Sequence, residues 1–486
     1  MIEMKPEKRI DIEGLENNLV NLTTKDLIYR IKAEELSREF VTAFQNWAEG
    51  EKFLSLYYLI PQFKIIATDS YYTHYSVVPL IRSDQNPDNI LEQAREFTKE
   101  YIESSNFQRI KPLTTLNDDM SKVYALALVK SIIMKIRDEL NKKGEGEKLD
   151  KLEELFKQVL SQQGEDAIKS GSYKLDQQGQ KIVNEVIQAI NKHVDMQRVM
   201  ATAIADAENA TKNAKAIEEL VGGKQAGKEP GEFKKILNLT LEALWKVDFR
   251  EMLTTAGRII DSMPKFVSIT KERDKHGDEI YGYRTTRKPW EALARDLALP
   301  DEVFEAKLMS NGLLAREKVV TKEGAYYVII DKSGSMAGEK TRWARSVALA
   351  IFKLARMKGR KYFLRFFDTM VYPDKPIEDP YEVLEHILKV ESNGGTSIDT
   401  ALTTALNDLR ERKLSEYTNT VIIITDGEDE VTTDPEVFKQ NNASLVAIMI
   451  QGFNDSLRKI AEATGGKYLK AELDEKGGLR VVEEVK

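Results

Sequence analysis

Three short side chains with oxygen atoms alternate along the segment 331–335. They are Asp331, Ser333 and Ser335, and the apolar run 325–330 precedes them. One carboxylate and two hydroxyls on a single strand-to-helix turn suit a hard divalent cation, because Mg²⁺ prefers oxygen ligands in near-octahedral geometry. The D-x-S-x-S spacing therefore predicts a metal site.

Two other segments supply oxygen atoms at comparable positions. Thr396 lies in the glycine-rich segment 393–397, and Asp426 follows the β-branched run 421–425. In an open parallel α/β sheet, ligands bind outside the carboxyl ends of the strands. We therefore expect one metal ion to be held by Asp331, Ser333, Ser335, Thr396 and Asp426.

Each of these residues also has a structural interpretation. Ser and Asp often cap helix N-termini, and Thr396 with Asp399 has the spacing of a capping box. Asp426 with Gly427 is a common turn dipeptide, and Asp368 with Thr369 suggests only a hairpin turn. Capping explains one residue of the segment 331–335. It does not explain three alternating oxygen-bearing residues there together with further ones in two other loops, so we favour the metal site.

The composition limits the classes of function. The chain has 486 residues, a formal net charge of -7, no cysteine and four histidines. Cysteine nucleophiles, disulfides and cysteine-based zinc sites are therefore excluded. The histidines are widely separated and none is placed as a general base, so we predict that the protein is not an enzyme. The acidic balance also argues against nucleic acid as the main partner.

The chain shows no targeting or membrane signal. The first residues lack the apolar core of a secretory signal, and no apolar stretch approaches the roughly 18 residues of a membrane span. We expect a cytoplasmic protein.

The chain divides into a helical part and an alternating part. We predict an all-α domain over residues 1–263, with its longest helix from about 177 to 220. Residues 264–322 are predicted to connect it to residues 323–486, where strands alternate with helices. This alternation predicts an α/β, Rossmann-like domain with a mainly parallel sheet.

One strand of this sheet is expected at its edge. Pro373 and Pro376 lie beside the strand near Val371. Proline has no backbone N–H to donate to a neighbouring strand, so it is found mainly in edge strands.

Asp331, Ser333, Ser335, Thr396 and the triplet 425–427 resemble the metal-ion-dependent adhesion site of von Willebrand factor A domains. The resemblance extends from Gly324 to the end of the chain. It implies Mg²⁺, with Mn²⁺ or Ca²⁺ as alternatives, bound directly by the two serines. Asp331, Thr396 and Asp426 would bind it directly or through water. It also implies an open coordination position that a carboxylate of a partner completes.

A narrower resemblance rests on residues 338–350, 362–368 and 393–396, which are similar to the ViaA/CoxE group of von Willebrand A proteins. These proteins carry a helical N-terminal half and act beside MoxR-type AAA+ ATPases. The resemblance implies a non-enzymatic, Mg²⁺-dependent adaptor in the remodelling or maturation of client proteins. Its partner would be the ATPase, a client protein or both.

Two other functions stay open at this point. A Ro-like RNA-binding protein also joins helical repeats to an A domain, but no internal repeat of 30 to 50 residues is evident here. A local basic patch at 265–288 keeps RNA binding open. A chelatase-like motor subunit, or a metal-dependent enzyme, is the other alternative.

Overall fold

The computed structural model consists of two compact units, Met1–Arg250 and Glu251–Lys486. The predicted domain boundaries at residues 263 and 322 stay predictions. The structure describes residues 27–44, 50–79, 89–170, 173–221, 232–243, 249–262, 271–273, 279–321, 323–414, 418–427, 429–473 and 479–483.

All secondary structure described in the first unit is helical. The helices are α1 (Leu27–Phe44), α2 (Gly50–Leu59), α3 (Pro61–Tyr75), α4 (Asn89–Ile102), α5 (Ser105–Thr114), α6 (Asp118–Lys142), α7 (Gly146–Ser170), α8 (Gln177–His193), α9 (Met196–Val221) and α10 (Glu232–Asn238), followed by a π-helical turn at Leu239–Ala243. Gly164 interrupts α7 with a φ of 84°. The helix α11 (Phe249–Ser262) spans the boundary between the units.

Helix α6 lies at the centre of the first unit. Every residue from Met120 to Ile133 is buried, as expected of a helix covered on all sides. Helices α3 and α9 both pack against it. Helix α9 buries alanines along its length, among them Ala203, Ala207 and Ala214. Side chains of this size let two helices approach closely.

The long helix predicted from 177 to 220 is wrong, because the chain breaks between α8 and α9. Asp195 Oδ1 accepts a hydrogen bond from the Arg198 N–H at 3.2 Å, as an N-cap residue does. The Asp195 N–H donates to Glu139 Oε2 on α6 at 3.3 Å. Asp195 therefore starts a new helix inside a segment whose apolar spacing alone suggests one.

A network of charged side chains joins α1 and α6. Lys122 Nζ lies 2.6 Å from Asp118 Oδ2 and also contacts Glu35, while Lys32 Nζ lies 2.9 Å from Asp118 Oδ1. Burial alone would raise the pKa of the Asp118 carboxyl, but hydrogen bonds from Lys122, Tyr71 and Lys32 lower it to about 2. Each carboxylate of this network therefore has a cation as partner.

The second unit begins with a small antiparallel sheet. Its strands are β1 (Lys271–Arg273), β2 (Glu279–Thr286) and β3 (Leu313–Thr321), in the order β1-β3-β2. The short helices α12 (Ala294–Leu297) and α13 (Asp301–Met309) lie between β2 and β3 in sequence.

A seven-stranded sheet in the order β10-β9-β8-β7-β4-β5-β6 forms the rest of the second unit. The pairs from β9 through β5 are all parallel, whereas β10 and β6 run antiparallel to their neighbours. The strands are β4 (Glu323–Asp331), β5 (Tyr362–Phe367), β6 (Val371–Ile377), β7 (Thr418–Thr425), β8 (Ala443–Ile450), β9 (Lys467–Leu473) and β10 (Leu479–Glu483). The predicted fold class, a helical N-terminal region followed by an α/β domain, is confirmed.

Helices cover both faces of this sheet. They are α14 (Glu339–Lys358), α15 (Pro380–Lys389), α16 (Ile398–Glu411), α17 (Pro435–Gln440) and α18 (Asp455–Ala463). Tyr327 and Ile329 of β4 share one hydrophobic cluster with Leu402 of α16 and Leu457 of α18. Because successive strand residues point to opposite faces, Val328 and Ile330 face the other layer, which contains α14.

Strand β6 lies at the edge of the sheet, as predicted from Pro373 and Pro376. Arg365 of β5 donates to the carbonyl oxygens of Pro373 and Asp374, both at 2.9 Å. The same guanidinium lies 3.0 Å from the buried Asp408 carboxylate. One buried cation thus ties the edge strand to α16.

Candidate metal centre

Asp331 and Asp426 lie at the carboxyl ends of two neighbouring parallel strands. Asp331 ends β4, Asp426 follows β7, and Ile330 pairs with Ile424 in the register of these strands. Thr425 Oγ1 donates to Asp331 Oδ2 at 2.5 Å. This hydrogen bond joins the two strand ends, so two buried carboxylates lie at the same end of the sheet.

The turn after β4 collects the oxygen atoms of its own side chains. The Ser333 N–H donates to Asp331 Oδ1 at 2.8 Å, and the Ser333 and Ser335 hydroxyls lie 3.0 Å apart. Helix α14 instead has Gly338 as its N-cap, with no side-chain cap. Capping of this helix therefore does not explain Asp331, Ser333 or Ser335.

Two backbone hydrogen bonds attach the glycine-rich loop to this turn. The Gly334 N–H donates to the Gly394 carbonyl at 2.9 Å, and the Asn393 N–H donates to the Lys332 carbonyl at 2.6 Å. Thr396 is half-buried in this loop. In the described part of the chain its hydroxyl forms no hydrogen bond with the other four predicted ligands. The structure thus brings the loop of Thr396 to the site through backbone hydrogen bonds.

The capping box suggested by the spacing of Thr396 and Asp399 is absent from the start of α16. Ser397 is the N-cap residue there, without a side-chain cap. The Asp399 carboxylate accepts instead from the N–H groups and hydroxyls of Thr432 and Thr433, at 2.5 to 3.0 Å. The Thr396 hydroxyl is therefore not used as a helix cap.

The Asp426 carboxylate is only half satisfied. Lys340 Nζ donates to Asp426 Oδ2 at 2.8 Å, whereas Asp426 Oδ1 is buried and has no hydrogen-bond partner. Among the residues that the structure describes, it is the only buried carboxylate oxygen in this state. Because a buried unpartnered charged oxygen is costly, this atom is suited to contact a cation.

Burial raises the pKa of the Asp331 carboxyl, and the charge of Asp426 raises it further. Hydrogen bonds from Ser333 and Thr425 oppose this increase. A divalent cation would favour the ionised form of the Asp331 carboxyl, as nearby opposite charge does.

Asp368 and Lys340 are two residues at this edge that the sequence interpretation missed. Asp368 forms the predicted hairpin turn, but Lys332 Nζ also lies 2.8 Å from its carboxylate, and its carbonyl accepts from the Ser397 N–H at 2.7 Å. Burial alone would raise the pKa of Asp368, yet the hydrogen bonds from Lys332 and Met370 hold it below its usual range. Its position directly after a buried strand is the signal that could have identified Asp368.

The backbone after Asp426 packs against the loop that follows β8. A Cβ atom on Gly452 would lie 1.7 Å from the Asp426 carbonyl oxygen, so only glycine fits at this position. Asn454 Nδ2 donates to the carbonyls of Gly427 and Asp429, at 3.1 and 2.7 Å. These contacts hold the backbone that follows the Asp426 side chain.

The donor set fits a hard cation. It combines two carboxylates with hydroxyls, and within the described ranges no group of three or more His, Asp or Glu side chains is placed to hold a metal. Oxygen ligands of this type suit Mg²⁺, Ca²⁺ or Mn²⁺ and not a soft metal.

Comparison with known proteins agrees with this architecture. Residues 326–428 match the model of the von Willebrand factor type A domain, and the second unit therefore contains such a domain. An uncharacterized protein of Methanocaldococcus jannaschii is 25% identical over 287 residues, which cover 53% of this chain and 64% of that protein. A putative VWFA domain-containing protein of Acidianus two-tailed virus is 27% identical over 187 residues, or 35% of this chain and 20% of that protein. The matches thus span less than two thirds of either relative.

Among solved structures, the von Willebrand factor type A protein from Catenulispora acidiphila is 20% identical. The match covers 32% of this chain and 40% of that chain, with a TM-score of 0.26.

Membrane insertion of a described helix finds no support. None of the helices in the described ranges combines the length and the apolar character needed to cross a bilayer.

Proposed function

We propose that the α/β domain binds Mg²⁺ at the carboxyl ends of the central strands β4 and β7, and that a partner protein completes the metal site with a carboxylate. The proposed ligands are Asp331, Ser333, Ser335, Thr396 and Asp426. The observation that carries the proposal is the buried, unpartnered Asp426 Oδ1 beside hydroxyls that cap no helix. The domain would act as a metal-ion-dependent adhesion site without catalysis.

The surface around the site supports a protein partner. In the described part of residues 324–486, four large apolar side chains are exposed. Three of them follow β5 or β8 at the same edge: Met370 is 61% exposed, Tyr372 38% and Phe453 53%. The fourth, Met357, lies in the last turn of α14. Exposed apolar side chains beside a metal site suit a protein surface, because they lose contact with water on binding.

We infer that the partner is a MoxR-type AAA+ ATPase, a client protein or both. This inference follows from the resemblance to the ViaA/CoxE group, in which a helical half precedes the A domain. The helical unit would then engage the client or the ATPase, and the protein would act as a cytoplasmic adaptor.

The proposal predicts metal-dependent capture of partners. The full chain is immobilised and presented with cell extract, or with a purified MoxR-type ATPase, in Mg²⁺ or in EDTA, and bound proteins are identified by mass spectrometry. EDTA and Asp331→Ala should both remove the specific partners. The control variant Asp374→Ala, which changes an exposed aspartate of β6, should retain them. Equal binding in all four conditions would contradict the metal-bridged model.

A further inference from the structure

Lys340 provides the positive charge that neutralises Asp426. Its Nζ lies 2.8 Å from Asp426 Oδ2, and the Asp426 side chain is only 1% exposed. The Lys340 side chain is 22% exposed. The ammonium group therefore contacts a buried carboxylate while part of its flexible stem reaches solvent.

The helix does not favour a cation at this position. Lys340 is the second residue of α14, which has 20 residues, and the N-terminal end of a helix carries partial positive charge. Basic residues are preferred at the opposite end, where α14 has Arg356 and Lys358. The contact with Asp426 therefore accounts for the position of the Lys340 side chain better than the helix does.

Lys340 and a metal ion would compete for the same carboxylate. Asp426 is a proposed metal ligand, one of its oxygen atoms is held by Lys340, and the other has no partner. A divalent cation on this carboxylate would repel the ammonium group, and burial leaves this repulsion weakly screened. The Asp426 carboxylate therefore cannot bind Lys340 and the metal ion together as strongly as it would bind either one alone.

We propose that Lys340 is an internal counter-ion of the metal site. It neutralises Asp426 in the metal-free protein and moves into solvent when the metal binds, so it sets the affinity of the site for divalent cations. The inference rests on the proposed function, because it requires that Asp426 binds metal. It adds a residue outside the predicted ligand set that determines when the site is loaded.

The test is calorimetric titration of the full chain with Mg²⁺ alone and with Mn²⁺ alone. Lys340→Gln should tighten binding about tenfold, because it removes a like charge adjacent to the metal. Lys340→Arg keeps a cation and should stay within about threefold of the unmodified protein. Lys358→Gln removes the same charge about 27 Å away along the helix and should change the affinity less than about twofold.

Thermal unfolding separates this role from a purely structural one. Without metal, Lys340→Gln should lower the melting temperature, because Asp426 loses its only charged partner among the described residues. Saturating Mg²⁺ should remove this difference, whereas a structural role would leave the variant destabilised in both conditions.

The two proposals fail in different ways. If the unmodified protein binds Mg²⁺ and Lys340→Gln binds it equally or more weakly, the counter-ion role is wrong and the metal site stands. If neither protein binds Mg²⁺ or Mn²⁺, both proposals are wrong.

Discussion

The two units of the molecule treat buried charge differently. In the helical unit, the half-buried carboxylates of Glu35 and Asp118 share Lys32 and the buried Lys122, and the buried Arg95 lies 2.8 Å from Asp69. In the α/β unit, Asp331 and Asp426 lie at the carboxyl ends of the neighbouring strands β4 and β7. Among the described residues, the one ion pair of these two carboxylates joins Lys340 to Asp426 Oδ2, and Asp426 Oδ1 has no hydrogen-bond partner.

This difference separates charge that stabilises the fold from charge that is available to a ligand. A buried polar network with every member satisfied makes the structure rigid, whereas a partly satisfied one is costly unless something else completes it. Burial and charged neighbours alone would not distinguish the two units. The unpartnered Oδ1 atom of Asp426 distinguishes them.

Gly452→Ala should have the largest effect. It tests whether the carboxyl ends of the strands tolerate any change in backbone spacing. The new Cβ would meet the Asp426 carbonyl at 1.7 Å, so the loop after β8 must move. We expect a loss of at least about 3 kcal/mol in the free energy of unfolding of the α/β unit, at the upper end of overpacking costs. Urea denaturation measures it.

The matched control is Gly257→Ala in α11, where the nearest atom to the new Cβ is Lys353 Nζ at 3.9 Å. Alanine there should stabilise by about 0.5 to 1 kcal/mol, because glycine is unfavourable inside a helix. Equal effects of the two substitutions would show that the sheet edge is not tightly packed.

Addition of Mg²⁺ should sharpen the comparison between the units. At a concentration 100 times its dissociation constant, the ion should stabilise the α/β unit by about 2.7 kcal/mol. Hydrogen exchange followed by mass spectrometry should show slower exchange in the segments 331–336, 393–397 and 425–427, and unchanged exchange in α6. EDTA should reverse the effect, and Asp331→Ala should abolish it. Equal protection of α6 would remove the distinction between the two kinds of buried charge.

Two threonines of β7 test whether the Asp331 carboxylate depends on its hydroxyl partner. Both side chains are buried, but Thr425 Oγ1 donates to Asp331 and accepts from the Gly427 N–H, whereas Thr420 Oγ1 has no partner. Thr425→Val should destabilise the metal-free protein by about 2 kcal/mol, because Asp331 Oδ2 loses its donor. Thr420→Val should be neutral or slightly stabilising. Denaturation in EDTA measures both, and the reverse order would contradict the assignment.

The smallest predicted effect belongs to the helical unit. The pKa of Asp118 is about 2 in the fold, below its unfolded value, so the folded state binds fewer protons. Its stabilisation is present at neutral pH, above the unfolded pKa, and is lost as the pH falls from about 4 through 2. Because Asp118 is partly exposed, we expect Asp118→Asn to cost only about 1 kcal/mol at pH 7.

The control on the same helix is Asp138→Asn, at an exposed position. It should change stability by less than about 0.5 kcal/mol. The difference between the two variants should shrink between pH 4 and pH 2 in circular dichroism measurements. A difference that persists at pH 2 would show that Asp118 does not act through its charge.

The sequence predicts the α/β unit better than the helical unit for a physical reason. Buried parallel strands are continuous β-branched runs such as 421–425, and polar residues directly after them are easily recognised. Helix α3 lacks such a pattern because it is buried on most sides, so that its aromatic side chains show no single apolar face. Pro61 at its first turn was the available signal. Asp195 likewise starts α9 without a glycine or proline to mark the break.

The arrangement of the site was only partly predictable. The positions of Asp331 and Asp426 follow from the ends of their strands. The contact of Lys340 with Asp426 joins residues 86 positions apart in the chain. It depends on how closely the first turn of α14 approaches the end of β7, which no local pattern encodes.

The edge strand β6 has a consequence for the behaviour of the protein at high concentration. Exposed sheet edges can pair with other chains and nucleate aggregates. Pro373 and Pro376 remove two N–H donors from β6, and Arg365 occupies the carbonyls of Pro373 and Asp374. This edge therefore lacks the regular row of donors and acceptors that a further strand requires. The irregularity protects the sheet against association through β6.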